Sequence, residues 1–233
     1  MPISLSATKQ PHYFGHRERL RERLRRAGPG ALQDHELLEL VLTYAIARRD
    51  TKPLAKALIQ KFGGLAGVLD AAPAQLQAVR GIGARSVGLL ALFKPVCGAY
   101  LNRRLRGLNV LEHPRQVADY CRLALAGKSH EVVYALFADV KNRIIAERVL
   151  SEGTIDESPL YPRRLVEEAL ACHASGFILV HNHPSGAIEP SPADKALTKR
   201  VLDTAKAVDL RFLDHLIVGH EGYCSFRQEG LLN

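Results

Sequence analysis

Apolar positions along this chain follow two different periods, and the change between them divides it. From Leu20 to Phe93 they recur three and four residues apart, as in Leu37, Leu38, Val41 and Leu42 and again in Leu54, Ala57, Leu58 and Phe62, with Gly63-Gly64 and Pro73 as breaks. Residues at that spacing share one helix face, so this half reads as several short helices and no sheet. Beyond residue 130 the pattern shortens into compact apolar runs. Glu131–Asp139 and Ile144–Leu150 predict a hairpin turning at Val140–Arg143, and Gly176–Val180 predicts a short buried strand. Leu213–Val218 and Tyr223–Phe226 predict closing strands around His220-Glu221-Gly222, while Pro162–His173 and Pro192–Val208 keep helical spacing. The expected class is α+β: an all-α N-terminal domain, then an α/β sandwich with a mixed sheet and two or three helices.

Charge changes where the period changes. Residues 1–108 hold 18 Lys+Arg and 7 Asp+Glu, a balance of +11, whereas residues 109–233 hold 14 and 17, a balance of −3. The formal +8 of the 233-residue chain is therefore the sum of two unlike halves. The basic stretch Arg103, Arg104, Arg106 is followed by Gly107 and by His113-Pro114, which cannot continue a helix inward, so a linker is expected near 107–113. This gives domains 1–108 and 109–233.

Composition narrows the class further. With 47% hydrophobic and 24% charged residues the chain is globular rather than disordered. No apolar run approaches the ~18 to 20 residues that cross a bilayer, and the polar start lacks the form of a secretory signal. No membrane association and a cytoplasmic location are the expectations. Cys97, Cys121, Cys172 and Cys224 are widely spaced without a CxxC pair, which fits four reduced, mostly buried thiols.

Two segments of the basic half carry candidate chemistry. Arg17 to Arg26 places six arginines in ten residues, a density that suits either phosphate contacts or a solvated helix face. Leu76 to Val87 reads as a helix end, a Gly81-Ile82-Gly83 turn and a new helix near Ala84, and it resembles the helix-hairpin-helix motif. In that motif backbone N–H groups at the turn and helix start hold a DNA phosphate without reading bases. The resemblance implies sequence-independent DNA contact through Arg80, Gly81, Gly83 and Arg85. The other reading is a corner kept for packing.

The acidic half contains the sharper pattern, His181-Asn-His183-Pro184 with Ser191-Pro-Ala-Asp194 beyond it. Residues i and i+2 of a strand point the same way, so the two imidazoles can grip one cation while Asp194 returns from the next helix. Two neutral nitrogens and a carboxylate leave a fourth position open, the ligand set of a catalytic rather than a structural zinc.

The spacing His-x-His-Pro, seven residues counted from Pro184 to Pro190, then Ser-x-x-Asp resembles the JAMM (MPN+) metalloprotease motif. Together with Gly153-Thr154, Tyr161-Pro162-Arg163, His181-Asn-His-Pro-Ser-Gly186, Leu213-Asp-His-Leu-Ile-Val-Gly219 and the helix-hairpin-helix in front, the chain resembles the bacterial RadC-like (UPF0758) family over nearly its whole length. The resemblance implies an MPN domain, a cytidine-deaminase-like sandwich, with His181, His183 and Asp194 as zinc ligands. Zinc would lower the pKa of a bound water from 15.7 towards ~7. It further implies a glutamate general base upstream, matched by Glu131 with Glu147 on the paired strand as the alternative, and Ser191 as hydrogen-bond donor to the oxyanion. An N-cap role for Ser191 is compatible with that. His215 reads as a packed or hydrogen-bonded histidine, with support of a ligand as its alternative, Asn182 as a structural residue facing away from its neighbours, and Ser185-Gly186 as a possible wall of a substrate groove. His173, Cys172 and Cys97 have no metal-ligand spacing.

The function implied is zinc-dependent hydrolysis of peptide or isopeptide bonds in a peptide or protein substrate. The alternatives are a DNA-associated repair or recombination factor acting through its helical half and, more distantly, a metal-dependent nuclease suggested by the literal His-Asn-His.

Overall fold

The computed structural model describes residues 15–153, 160–219 and 222–232. Thr154 of the Gly153-Thr154 pair and His220-Glu221 of the final turn lie outside them. The chain divides into two compact units, Met1–Lys94 and Pro95–Asn233. Among the described residues no helix is long and apolar enough to cross a membrane.

The first unit is helical, as its spacing predicts: α1 (His16–Ala27), α2 (Asp34–Ala45), α3 (Lys52–Phe62), α4 (Leu65–Asp70), α5 (Pro73–Gln77) and the first part of α6 (Ala84–Leu105). Leu38, Leu42, Leu54, Leu58, Val68, Leu76, Ile82 and Leu90 form its core. The arginines of α1 are engaged locally. Arg17 donates to the Ala47 carbonyl at 2.6 Å and to that of Ile46 at 3.3 Å, satisfying the C-terminal end of α2. Arg23 pairs with Glu36, Arg25 and Arg26 pair with Glu22, and Arg21 lies 3.5 Å from Glu18. These arginines thus cap the end of a neighbouring helix and pair with carboxylates on a solvated face, one of the two readings that their density suits.

The helix α6 runs for 22 residues with Pro95 inside it. The division between units falls in this helix, ahead of the 107–113 boundary expected from composition. Leu105 and Val110 are buried in the core of the second unit with Leu101 and Leu111 packed against it, so the residues around the expected linker belong to that core. The change of sign in charge marks a change of surface, whereas the compact unit follows apolar packing.

The second unit comprises α7 (Pro114–Leu125), β1 (Glu131–Ala138), β2 (Ile144–Gly153), α8 (Pro162–Ala171), β3 (Gly176–Asn182), α9 (Pro192–Ala207), β4 (Arg211–Val218) and β5 (Tyr223–Ser225). Its mixed sheet has the order β2-β1-β3-β4-β5. The pair β3/β4 is parallel and joined through α9, while β1/β2, β1/β3 and β4/β5 are antiparallel. Alternation along β1 sends Val132, Tyr134, Leu136 and Ala138 to the core beneath α7, and Val133, Ala135 and Phe137 to the core beneath α8 and α9. Both faces are covered, which is why β1 and β3 read as continuous apolar runs.

The helix α7 was not anticipated, although Pro114 stands in its first turn and Val117, Cys121 and Leu125 carry its buried stripe. Of the four thiols Cys121 is buried, Cys97 is exposed and the other two are intermediate, so burial is less general than expected; all four are free.

Candidate metal centre

The parity of β3 decides which way its polar end points. Phe177 and Leu179 face the core beneath α8 and α9, so His181 faces that side too, while Ile178, Val180 and Asn182 face α7. His181 is fully buried, and His183 follows directly beyond the strand end. The third group comes from α9. Ser191 is its N-cap and Pro192 stands in its first turn, and Asp194 completes a capping box in which Ser191 Oγ accepts from the Asp194 N–H at 3.1 Å. In return Asp194 Oδ2 accepts from the Ser191 N–H at 2.7 Å and from its hydroxyl at 2.6 Å. The local signal Ser-Pro-x-Asp thus both starts the helix and aims the carboxylate.

The three side chains converge. His181 Nε2 lies 3.0 Å from His183 Nε2 and 3.0 Å from Asp194 Oδ1, and His183 Nε2 lies 3.4 Å from Asp194 Oδ2. Metal bonds of 2.0–2.2 Å at tetrahedral angles separate ligand atoms by roughly 3.3 Å, so these spacings match the edges of such a shell.

Proton accounting supports the same conclusion. His183 Nδ1 is 3.0 Å from the Ala187 carbonyl, which can only accept, so the proton of the neutral ring is on Nδ1 and Nε2 carries a lone pair. The Thr198 hydroxyl donates to the Asp194 carbonyl at 2.6 Å and must therefore accept from His215 Nδ1, 2.7 Å away. His215 Nε2 is left to accept from His181 Nδ1 at 2.9 Å, which exposes a lone pair on His181 Nε2 as well. Burial, followed by the neighbouring histidines, holds His215 well below the ordinary histidine range, so it stays neutral and can accept. Two nitrogen lone pairs and a carboxylate aimed at one point repel one another unless a cation lies between them, and the donor set suits a divalent metal.

Without metal, a proton fills part of that role. The hydrogen bond to Asp194, opposed by burial, raises the affinity of His183 for a proton. Burial alone would push the Asp194 carboxyl up, but once the histidine pair has taken up that proton, hydrogen bonds from His181 and His183, with that from Ser191, outweigh it and hold Asp194 well below the usual carboxylate range. A carboxyl held low contributes stability above its unfolded value of 3.8 and loses it as pH falls; an imidazole held high contributes below its unfolded value of 6.5 and loses it as pH rises through the raised value. Chelator-treated protein is therefore expected to draw most stability from this pair between those two values. Thermal midpoints followed across pH for it and for Asp194→Asn, which should flatten the profile, check this.

Glu131 stands at the start of β1 on the same face, its Oε1 3.9 Å from His181 Nε2 and its side chain about one-third exposed. Glu147 occupies the other face. It accepts from the Tyr120 hydroxyl at 2.5 Å and from Asn102 Nδ2 at 3.3 Å, and Tyr120 belongs to the α7 core. The sheet separates Glu147 from His181, so of the two glutamates only Glu131 adjoins the candidate metal group of His181, His183 and Asp194. His215, read as hydrogen-bonded, supports His181 directly and stacks on Phe226 with ring centroids 4.6 Å apart. Thr198 was missed; its signal was a position four residues after Asp194, on the same helix face.

The loop that returns from His183 to Ser191 is tightly seated. A side-chain carbon at Gly219 would stand 2.3 Å from the Gly186 carbonyl and 2.8 Å from Ile188, so only glycine allows the β4–β5 turn to approach the loop.

In the first unit, Arg80 and Arg85 are exposed on either side of a turn in which Gly81 has φ +100° and Ile82 is buried. Arg49 donates to the Gly81 carbonyl at 2.7 Å, adding a guanidinium at the turn. Gly83 directly precedes α6 and accepts from the Ser86 and Val87 N–H groups.

Fold and site together define a class: a three-layer α/β sandwich whose central strands end at an open pair of histidines and one carboxylate. Residues 111–231 match the model of the RadC-like JAB domain, and residues 13–87 match that of the UPF0758 N-terminal domain. The chain belongs to the RadC-like JAB domain family. Membership and the His181-His183-Asp194 group together point to a JAMM-type metal-dependent hydrolase.

Proposed function

We propose that this protein is a zinc-dependent hydrolase of peptide or isopeptide bonds. The observation that carries the reading is the convergence of His181, His183 and Asp194, with their lone pairs assigned, beside a glutamate that is not needed as a ligand. Zinc suits two imidazole nitrogens and one carboxylate oxygen with a fourth position open, and when bound it supplies Lewis acidity to water and to a carbonyl.

The remaining chemistry falls to the chain's own residues. Glu131 Oε1 takes a proton from the attacking water and returns it to the leaving amine, acting as base and then as acid. Ser191 has a single hydroxyl proton, given to Asp194 Oδ2 in this structure, so donation to an oxyanion requires the hydroxyl to turn away from the carboxylate. Purified protein is expected to carry one zinc ion per chain, lost in His181→Ala and in Asp194→Ala, and to show chelator-sensitive cleavage of a fluorogenic peptide library or an isopeptide-linked dipeptide. Absence of metal from the folded wild-type protein after zinc loading would falsify the reading.

A second activity, sequence-independent DNA binding, is favoured by one observation: exposed Arg80 and Arg85 flank a positive-φ glycine turn before α6. Its affinity should fall steeply with salt, since phosphate contacts release counterions. In a gel-shift series on duplex DNA, Arg80→Ala with Arg85→Ala should weaken binding alike on unrelated sequences; salt-insensitive binding or none excludes it. A nuclease reading finds less support, because Asn182 points to the opposite face from the two histidines that flank it.

A further inference from the structure

The strands β1 and β3 part company just before the site. Their ladder ends with Val133 opposite His181, and the next position, where Asn182 would face Val132, has no place in it. The Asn182 side chain fills the gap. Its Oδ1 accepts from the Val132 N–H at 2.9 Å, and its Nδ2 donates to the His130 carbonyl at 3.1 Å. These two main-chain groups bracket Glu131. The His130 carbonyl belongs to the peptide plane before the Glu131 Cα and the Val132 N–H to the plane after it. Because each peptide unit is rigid, pinning both planes to one amide leaves Glu131 little freedom in φ or ψ.

We propose that Asn182 is a positioning residue that sets the place of Glu131 relative to the metal ligands. It rests on the reading of Glu131 as the residue that moves the proton. The argument is one of connectivity. Asn182 lies between His181 and His183 in sequence, and the residue is 6% exposed, which limits competition from water for the clamp. One strand end therefore presents two ligands to one face while its intervening residue reaches back along the other face to hold the base. Only a side chain with one donor and one acceptor at this length meets both groups; aspartate keeps the acceptor and loses the donor, and alanine loses both. Without the clamp the start of β1 keeps its pairing to β2 at Gly153, so the fold persists while the carboxylate gains freedom.

The test measures position rather than turnover. Full-length protein carrying carboxyl-labelled glutamate is loaded with cobalt(II), whose paramagnetism displaces nearby carbon resonances with the inverse cube of distance, and the Glu131 signal is assigned by its absence in Glu131→Gln. In wild-type protein that signal should be displaced strongly. Asn182→Ala should bind one cobalt per chain with the same visible spectrum, yet lose most of the Glu131 displacement, and Asn182→Asp should lose part of it; the aspartate variant also serves if the alanine variant does not fold. Cobalt bound with the Glu131 displacement intact in the variants overturns the proposal and leaves the role of Glu131 standing. A wild-type Glu131 signal that does not move on cobalt loading overturns both.

Discussion

Replacing Glu131 with glutamine is expected to lower hydrolysis about a hundred- to ten-thousand-fold, the range associated with a positioned general base. Glutamine keeps the size of the side chain and removes its ability to take a proton. Metal content should not change, because the carboxylate stands 3.9 Å from His181 Nε2 and the three converging donor groups do not include it. Steady-state hydrolysis measured beside zinc content separates the two effects. Retention of activity with metal bound would remove Glu131 from the mechanism, and loss of metal would make it a ligand. Glu147→Gln serves as the comparison: its carboxylate belongs to the hydrogen-bonded group with Tyr120 and Asn102 on the other face, so stability should fall while the metal site is kept.

The second large effect is expected at His215. Its ring closes a chain from Thr198 to His181, and that chain is what presents the His181 Nε2 lone pair outward. Partners of this kind typically contribute ten- to hundred-fold in metal affinity. His215→Phe preserves the stacking on Phe226 but cannot accept from His181 Nδ1, so zinc affinity measured by competition with a chelator should fall by about that factor. His215→Gln retains an acceptor and is expected to recover part of the loss. Equal affinities in all three proteins would show that the His181 tautomer is held by something other than this hydrogen bond.

Both experiments address contacts of unequal visibility in the sequence. The elements were legible because their signals are local. Compact apolar runs marked the strands, Ser191-Pro192 marked the start of α9, and His-x-His placed two imidazoles on one side of a strand end. The same locality limits what such signals can show. The Arg17–Arg26 density cannot show that Glu22, Glu36 and the carbonyls at the end of α2 absorb the charge, because Glu36 and those carbonyls come from other elements. The composition break near residue 108 records surface charge, whereas Leu105 and Val110 are assigned to a unit by what they pack against.

By itself the sequence determined the strands and their order along the chain, the α+β class and the three side chains that could hold a metal, since each follows from periodicity or short spacing. Only the tertiary structure set Glu131 beside His181 and Glu147 on the other face, arranged the hydrogen bonds that leave both Nε2 atoms open, and brought the amide of Asn182 across the strand gap. Those depend on which strands are neighbours and on which face each residue takes. A single residue of register would turn every one of them to the opposite side of the sheet.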